Sequence, residues 1–167
     1  MSPRGTLHLL IGPVGAGKTT YAQRRMARSP AVFLDLDAWM VRLFGADPRP
    51  AEGVMAWYLE RRERCRGALW DLALGVLACG TDVVLELGLL GRREREAFYE
   101  RARVEGLELV VHLVDAPRVT RRERVARRNQ SPGPFTQIVP LELFERASDA
   151  WEPPTEAERA AWAIVDE

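Results

Sequence analysis

Short apolar runs punctuate the chain, and helical patterns fill the intervals between them. Leu7–Ile11, Val32–Leu36, Val83–Leu87 and Leu107–Val114 are the clear runs, and Trp162–Val165 is a weaker fifth. Continuous rather than alternating apolar runs, bounded by helices, predict strands covered on both faces and hence a parallel sheet. Helical spacing extends from Gly17 to about Arg28, over a short stretch after Asp37, and from Val54 to Ala78. In that long stretch Trp57, Arg61, Cys65, Leu69, Leu72 and Val76 recur at helical intervals. Further helices are predicted over Arg92–Val104, Pro117–Arg128 and Pro140–Asp149. Strand and helix alternate throughout, the signature of a three-layer α/β fold. Gly45–Gly53, with two prolines, and Gln130–Pro134, reading Gln-Ser-Pro-Gly-Pro, are predicted loops.

At 167 residues the chain suits one domain with a real core. Basic and acidic residues balance at 24 each, so no global field draws the protein toward nucleic acid or an anionic membrane. Cys65 and Cys79 have neither metal-ligand nor redox spacing, and Leu7–Ile11 is too short to span a membrane. A soluble cytoplasmic protein is the expectation. The 24 basic residues include a single lysine, Lys18, and it falls inside the strongest motif.

Residues 12–19 read Gly-Pro-Val-Gly-Ala-Gly-Lys-Thr, the complete G-x-x-x-x-G-K-[ST] pattern, with an apolar strand before it and a helical pattern after. Gly12, Gly15 and Gly17 permit backbone angles that aim successive amides at one anion. The helix N-terminus adds free N–H groups and partial positive charge. Gly12, Gly15, Ala16, Gly17, Lys18, Thr19 and Thr20 are thus the predicted nucleotide-binding set. Lys18 is assigned to the β- and γ-phosphates of ATP, and the Thr19 hydroxyl to magnesium.

The second strand ends Asp35-Leu36-Asp37. If the chain stays extended, alternation puts both carboxylates on one face, at the sheet edge where open α/β folds bind ligands. Asp37 is the candidate general base for an acceptor hydroxyl, with helix capping as its competing role. Asp35 is assigned as a magnesium or structural neighbour. The third strand ends Leu85-Glu86-Leu87-Gly88, and an apolar strand ending in an acid holds magnesium in P-loop proteins, which makes Glu86 a metal candidate. Six arginines lie between Arg118 and Arg128. Arg121, Arg124 and Arg128 share one side of a helix, and Arg124 and Arg128 are the catalytic candidates in a lid of about residues 117–139. A solvated basic helix is the alternative, and Asp115 is expected to cap it. Trp39, Met40, Phe44, Trp57, Tyr58 and Arg61 are candidates for the acceptor pocket or for core. His8 and His112 are expected to be buried without a catalytic role.

With these residues in place, the chain resembles the small P-loop kinases of the AAA_33 type, which are similar to chloramphenicol phosphotransferases, gluconate kinases, zeta toxins and the kinase domain of phage polynucleotide kinase. The resemblance implies a five-stranded parallel sheet in the order 2-3-1-4-5 and an ATP- and magnesium-dependent transfer of the γ-phosphate to a hydroxyl. In polynucleotide kinases an Asp at the end of the second strand is the base, matched here by Asp37. The Arg three residues after it is replaced by Met40. The lid Arg-Asn pair is matched by Arg128-Asn129, but the next lid Arg is Pro132 here. These departures favour a small-molecule acceptor over a 5′-hydroxyl polynucleotide. A nucleotide-dependent switch or chaperone NTPase is the reading from another class.

Overall fold

A computed structural model describes residues 4–167. Its elements, in chain order, are β1 (Leu7–Ile11), α1 (Lys18–Met26), β2 (Ala31–Asp35), α2 (Leu36–Phe44), α3 (Val54–Ala78), β3 (Asp82–Glu86), α4 (Arg92–Val104), β4 (Leu109–Leu113), α5 (Arg118–Gln130), α6 (Leu141–Asp149), α7 (Glu156–Trp162) and β5 (Val165–Asp166). The strands form one parallel sheet in the order β2-β3-β1-β4-β5. This is a P-loop NTPase architecture. The β1 strand lies at the centre and every one of its residues is buried.

Alternation along β1 divides the core between the two faces of the sheet. Leu7, Leu9 and Ile11 join the larger cluster with Leu69, Trp70 and Tyr99 from α3 and α4, while Leu10 packs with Ala22 of α1 and Val84 of β3. His8 shares the α1 face with Leu10 and meets His112 of β4 across the sheet. Arg25 donates to His8 Nε2, so the His8 proton sits on Nδ1 and is donated to His112 Nε2 at 3.0 Å. His112 then carries its proton on Nδ1 and donates it to Glu167 at 2.6 Å, and Tyr21 donates to the same carboxylate at 2.7 Å. Burial first, then the Arg25 charge, push the His8 pKa down to about 4, so His8 is neutral at pH 7, and burial lowers that of His112 as well. The expectation of two buried, non-catalytic histidines thus has a physical form: a directed chain of hydrogen bonds fastening α1 to the sheet.

Several boundaries move from their sequence positions. Trp162 belongs to a helix, not to the last strand, and β5 is only Val165–Asp166. Thr155 caps α7 by accepting from the Glu158 amide at 3.1 Å, and Ala163, in the left-handed region, ends it. Thr-x-x-Glu is a recognised helix start, and it was legible at residues 155–158. In α3 the buried stripe is Cys65, Leu69, Trp70, Ala73 and Leu77, and Leu72 faces solvent. Burial of the large Trp70 ring, edge-on to Phe98, sets that rotation.

The α7 helix is held by an ion pair with almost no solvent contact. Arg95 of α4 meets Glu158 of α7 through two hydrogen bonds of 2.6 and 2.9 Å, and Tyr99 donates to the same carboxylate at 3.0 Å. The two side chains are 0% and 1% exposed. Burial alone would raise the Glu158 pKa, but the Arg95 and Tyr99 hydrogen bonds outweigh it and hold it below its ordinary value. Removing one member strands the other in the core. Glu158→Ala is therefore expected to cost about 3–5 kcal/mol. That lowers the melting temperature by roughly 6–20 °C for a chain of this size, measurable by circular dichroism. A loss under about 2 °C would contradict the buried pair.

Candidate functional site

The loop between β1 and α1 is shaped by close approaches that exclude side chains. Gly12, Gly15 and Gly17 have φ of 144°, 78° and 107°. A Cβ on Gly12 would stand 1.9 Å from the Val114 carbonyl oxygen, and one on Gly15 would stand 2.8 Å from that of Arg121 and 2.9 Å from the Val125 side chain. The loop therefore lies wedged between the end of β4 and the flank of α5. Gly17 opens α1 without a side-chain cap, so the first amides of the helix keep no protein partner of that kind. Thr19 and Thr20 stand exposed in its first turn.

Lys18 does not project into solvent. Its Nζ donates to the carbonyls of Gly12 and Pro13 at 2.9 and 3.0 Å and lies 3.9 Å from Glu86 Oε1. Its side chain is 13% exposed and that of Glu86 is 9% exposed. The strand register explains the meeting: β3 lies beside β1, and Leu10 pairs with Glu86. Glu86 Oε1 also accepts from the Gly88 amide at 3.0 Å. Burial pushes the Glu86 pKa up to about 7 despite Lys18, and the charges of Asp37 and Asp35 add to the rise.

Asp35 pairs in register with Glu86 from the adjacent strand. The chain turns helical at Leu36, so Asp35, not Asp37, caps α2. One Asp35 oxygen accepts from the Asp37 and Ala38 amides at 3.0 and 3.4 Å. Burial, then the neighbouring Asp37 charge, raise its pKa. The extended arrangement that would align Asp35 and Asp37 on one face is absent, and Asp37 is not the capping residue. It lies exposed in the first turn of α2, its carboxylate free of the task that competes with chemistry. Its charge acts both on Glu86 and on the half-buried phenol of Tyr58 in α3. Lys18, Glu86, Asp35, Asp37 and Tyr58 thus occupy one electrostatic neighbourhood at the carboxyl end of the sheet.

The arginines of α5 divide by environment. Arg121 is buried and donates to Ala116 O, Val14 O and Ser148 Oγ, each at 3.0 Å, which ties the loop to α5 and α6. Its role is to fix the loop, not to face a ligand. Arg124 donates to Ala16 O at 2.9 Å, and its guanidinium borders Gly17. Arg128 is exposed and has no ion pair or side-chain hydrogen bond among the described residues. Asn129 holds the Val139 amide and carbonyl with its side chain, at 3.2 and 2.7 Å, closing the loop that follows α5. Asp115 does not cap α5, whose N-cap is Pro117. It accepts instead from the Ala116 amide. The first half of the expected lid is therefore packed against the loop rather than standing clear of it.

Beside α2 lies a cavity of about 230 Å³, lined by Met40, Phe44, Arg49, Tyr58, Thr136 and Gln137 among others. Three of the sequence-predicted pocket residues, Met40, Phe44 and Tyr58, line it, and Trp39 packs into the core. Arg62 and Arg66 were missed. Both donate to the carbonyls of Leu87 and Gly88, at 2.9 to 3.4 Å, and so brace the end of β3. Nothing in an arginine-rich helix distinguishes these two from their exposed neighbours. Among the described residues no helix is long and apolar enough to cross a membrane, and no cluster of three or more His, Cys, Asp or Glu could hold a metal unaided.

Comparison with known proteins follows the same architecture. The AAA_33 family model, described as an AAA domain, matches residues 7–154. No curated protein sequence matches significantly. Among solved structures, the Pnkp1/Rnl/Hen1 RNA repair complex contains a chain that superposes with a TM-score of 0.68 at 18% identity, over 96% of this chain and 47% of that one. This chain therefore spans about half of that relative. Kti12 from Chaetomium thermophilum, in complex with ADP-AlF3, gives 0.65 at 20% identity, over 96% and 88%. A gluconokinase from Sinorhizobium meliloti 1021 gives 0.54 at 19% identity, over 99% and 83%. At such identities these structures share the fold.

The raised Glu86 pKa has a consequence for stability. A carboxyl that holds its proton more tightly when folded contributes most below its unfolded value, 4.5, and loses that contribution as pH rises through about 7. Wild-type melting temperature relative to Glu86→Gln is expected to fall across that window, since glutamine cannot ionise. A constant difference between the two melting curves from pH 4.5 to 7.5 would mean that Glu86 titrates normally.

Proposed function

We propose a phosphotransferase function for this chain, which belongs to the AAA_33 family, a nucleotide-dependent kinase/NTPase group. The reaction is transfer of the γ-phosphoryl group of ATP to a hydroxyl of a small-molecule acceptor. The observation that carries this reading is the division of labour at the end of β2. Asp35 takes the helix cap, which leaves the Asp37 carboxylate exposed in the electrostatic neighbourhood of Glu86 and Tyr58. A free carboxylate whose charge reaches Tyr58, a residue of the cavity beside α2, suits proton acceptance from an acceptor better than it suits a switch.

In this account residues 12–20 hold the triphosphate. The amides of the loop and of the first turn of α1 face the phosphates, and Lys18 turns from the Gly12 and Pro13 carbonyls toward the β- and γ-phosphates. Asp37 accepts the proton of the acceptor hydroxyl. The acceptor oxygen bonds to the γ-phosphorus, the bond from that phosphorus to the β–γ bridging oxygen breaks, and the electron pair leaves with ADP. Arg124, already against the loop at Ala16, meets the charge that develops on the moving group. Arg128, one turn further along α5 and exposed, joins Arg124 there, and the loop over residues 131–139 follows. The whole of residues 1–167 serves as one catalytic domain, with that loop as the mobile part of the lid.

Magnesium fits the donors at hand. Among the described residues there is no all-protein cage, and magnesium is ordinarily bound through one or two carboxylates, with phosphate and water completing its shell. Thr19 Oγ1, the Asp35 oxygen not engaged in capping, and Glu86 are hard oxygen donors, and the two acids are register neighbours. These three would hold the ion, which supplies charge neutralisation on the phosphates when bound.

The test is incubation of the purified protein with γ-labelled ATP and a panel of hydroxylated small molecules and 5′-hydroxyl oligonucleotides. Label in a small molecule supports the proposal, label in the oligonucleotide moves it to a polynucleotide kinase, and label only in free phosphate moves it to a switch NTPase. Asp37→Asn sharpens the result. The cap belongs to Asp35, so the substitution should cost well under about 1 kcal/mol of stability, while turnover falls by about 10²-fold or more with ATP affinity retained. Full turnover in that variant removes Asp37 from the mechanism.

A further inference from the structure

The cavity beside α2 has one charged lining residue, an arginine. Arg49 lines it, with its guanidinium 4.6 Å from the centre of the Trp57 ring. Arg61 lies 4.0 Å from the centre of the same ring, so one indole carries two guanidinium groups. The only carboxylate within ion-pair distance of either, among the described residues, is Asp47, 3.8 Å from Arg61 and half exposed. Arg62, one residue on, is committed to the Leu87 and Gly88 carbonyls and has no carboxylate partner there either. An anion in the cavity therefore meets, at Arg49, a guanidinium that no carboxylate of the described residues neutralises.

The chain also stiffens Arg49 for such a task. It stands in Pro48-Arg49-Pro50. A following proline restricts its backbone to extended conformations, and each proline fixes its own φ. An arginine held in this way loses less conformational freedom on binding than one on a free loop. Burial raises the pKa of the Tyr58 phenol in the same cavity, the charge of Asp37 adds to the rise, and those of Arg62, Arg66 and Arg49 oppose it. Asp37 does not line the cavity, but its charge reaches the Tyr58 phenol that does. At about 230 Å³ the space is smaller than the roughly 300–1,000 Å³ of sites for drug-sized molecules.

We propose that the acceptor held in this cavity is a small hydroxylated compound bearing a carboxylate or phosphate group, with Arg49 as its principal counter-charge. The role of acceptor rests on the phosphotransferase reading. The anion site itself does not. Guanidinium recognises both anions through paired N–H donors, so the chemistry is shared.

One skeleton with three head groups tests it. Ribose, ribonate and ribose 5-phosphate are titrated calorimetrically into the protein saturated with magnesium and a non-hydrolysable ATP analogue, which fills the phosphate loop and silences turnover. Ribonate or ribose 5-phosphate should bind at least about tenfold tighter than ribose, and whichever wins identifies the anion. Arg49→Gln should remove most of that preference, Arg49→Lys should keep part of it, and both should bind the ATP analogue as wild type does. Equal affinities for all three, no binding by either anion, or a preference that survives in Arg49→Gln would overturn the proposal. The two readings fail separately. Anion preference without label transfer from ATP removes the transferase and keeps the site, while label transfer to neutral ribose without preference does the reverse.

Discussion

The backbone of residues 12–17 is pressed between the end of β4 and the flank of α5, and only glycine tolerates the pressure at Gly12 and Gly15. The side-chain-free approach at Gly12 brings the Val114 carbonyl against the loop, and that at Gly15 brings in Arg121 and Val125. The basic side chains of the site are placed from this junction. Arg121 locks the loop to α5 and α6, Arg124 rests on Ala16, and Lys18 folds back over Gly12 and Pro13. A Cβ at either glycine would therefore disturb the position of α5 and its arginines as well as the local turn.

The second organising fact is that the charges at the carboxyl end of the sheet are dry. Lys18 and Glu86 face each other with little solvent, and Asp35 lies beside Glu86 in register. Burial raises the pKa of both acids, so their protonation responds to whatever charge arrives next to them. The Lys18 ammonium lies on the Gly12 and Pro13 carbonyls of the loop itself. Electrostatic interactions gain weight in such a water-poor site, which is the condition for preorganised charge to act on a phosphoryl group.

Much of this was legible in the sequence because it is written in local pattern. The four clear apolar runs are strands, α4 has the bounds its spacing predicts, and residues 12–19 form the loop that their glycines require. The order β2-β3-β1-β4-β5 agrees with what the family resemblance implies. Other features turned on a single residue or on a distant partner. A helix beginning at Leu36 rather than after Asp37 moves the capping role from Asp37 to Asp35. Glu158 has a start-of-helix signature and also a buried partner 63 residues earlier, which no local pattern announces. In a chain this rich in arginine, charge says nothing about fate: Arg95 is fully buried, Arg121 nearly so, and Arg92 and Arg122 lie in solvent on the same helices.

The central claim is that residues 12–19 bind the phosphates of ATP through one lysine. Lys18→Ala decides it most directly, with ATP affinity measured by calorimetry on folded protein whose melting temperature has been checked. The account predicts a loss of affinity of at least about tenfold. Stability should change by no more than about 1–3 kcal/mol, since Glu86 can take up a proton when its neighbouring cation is gone. Wild-type affinity for ATP in that variant would contradict the assignment of the loop.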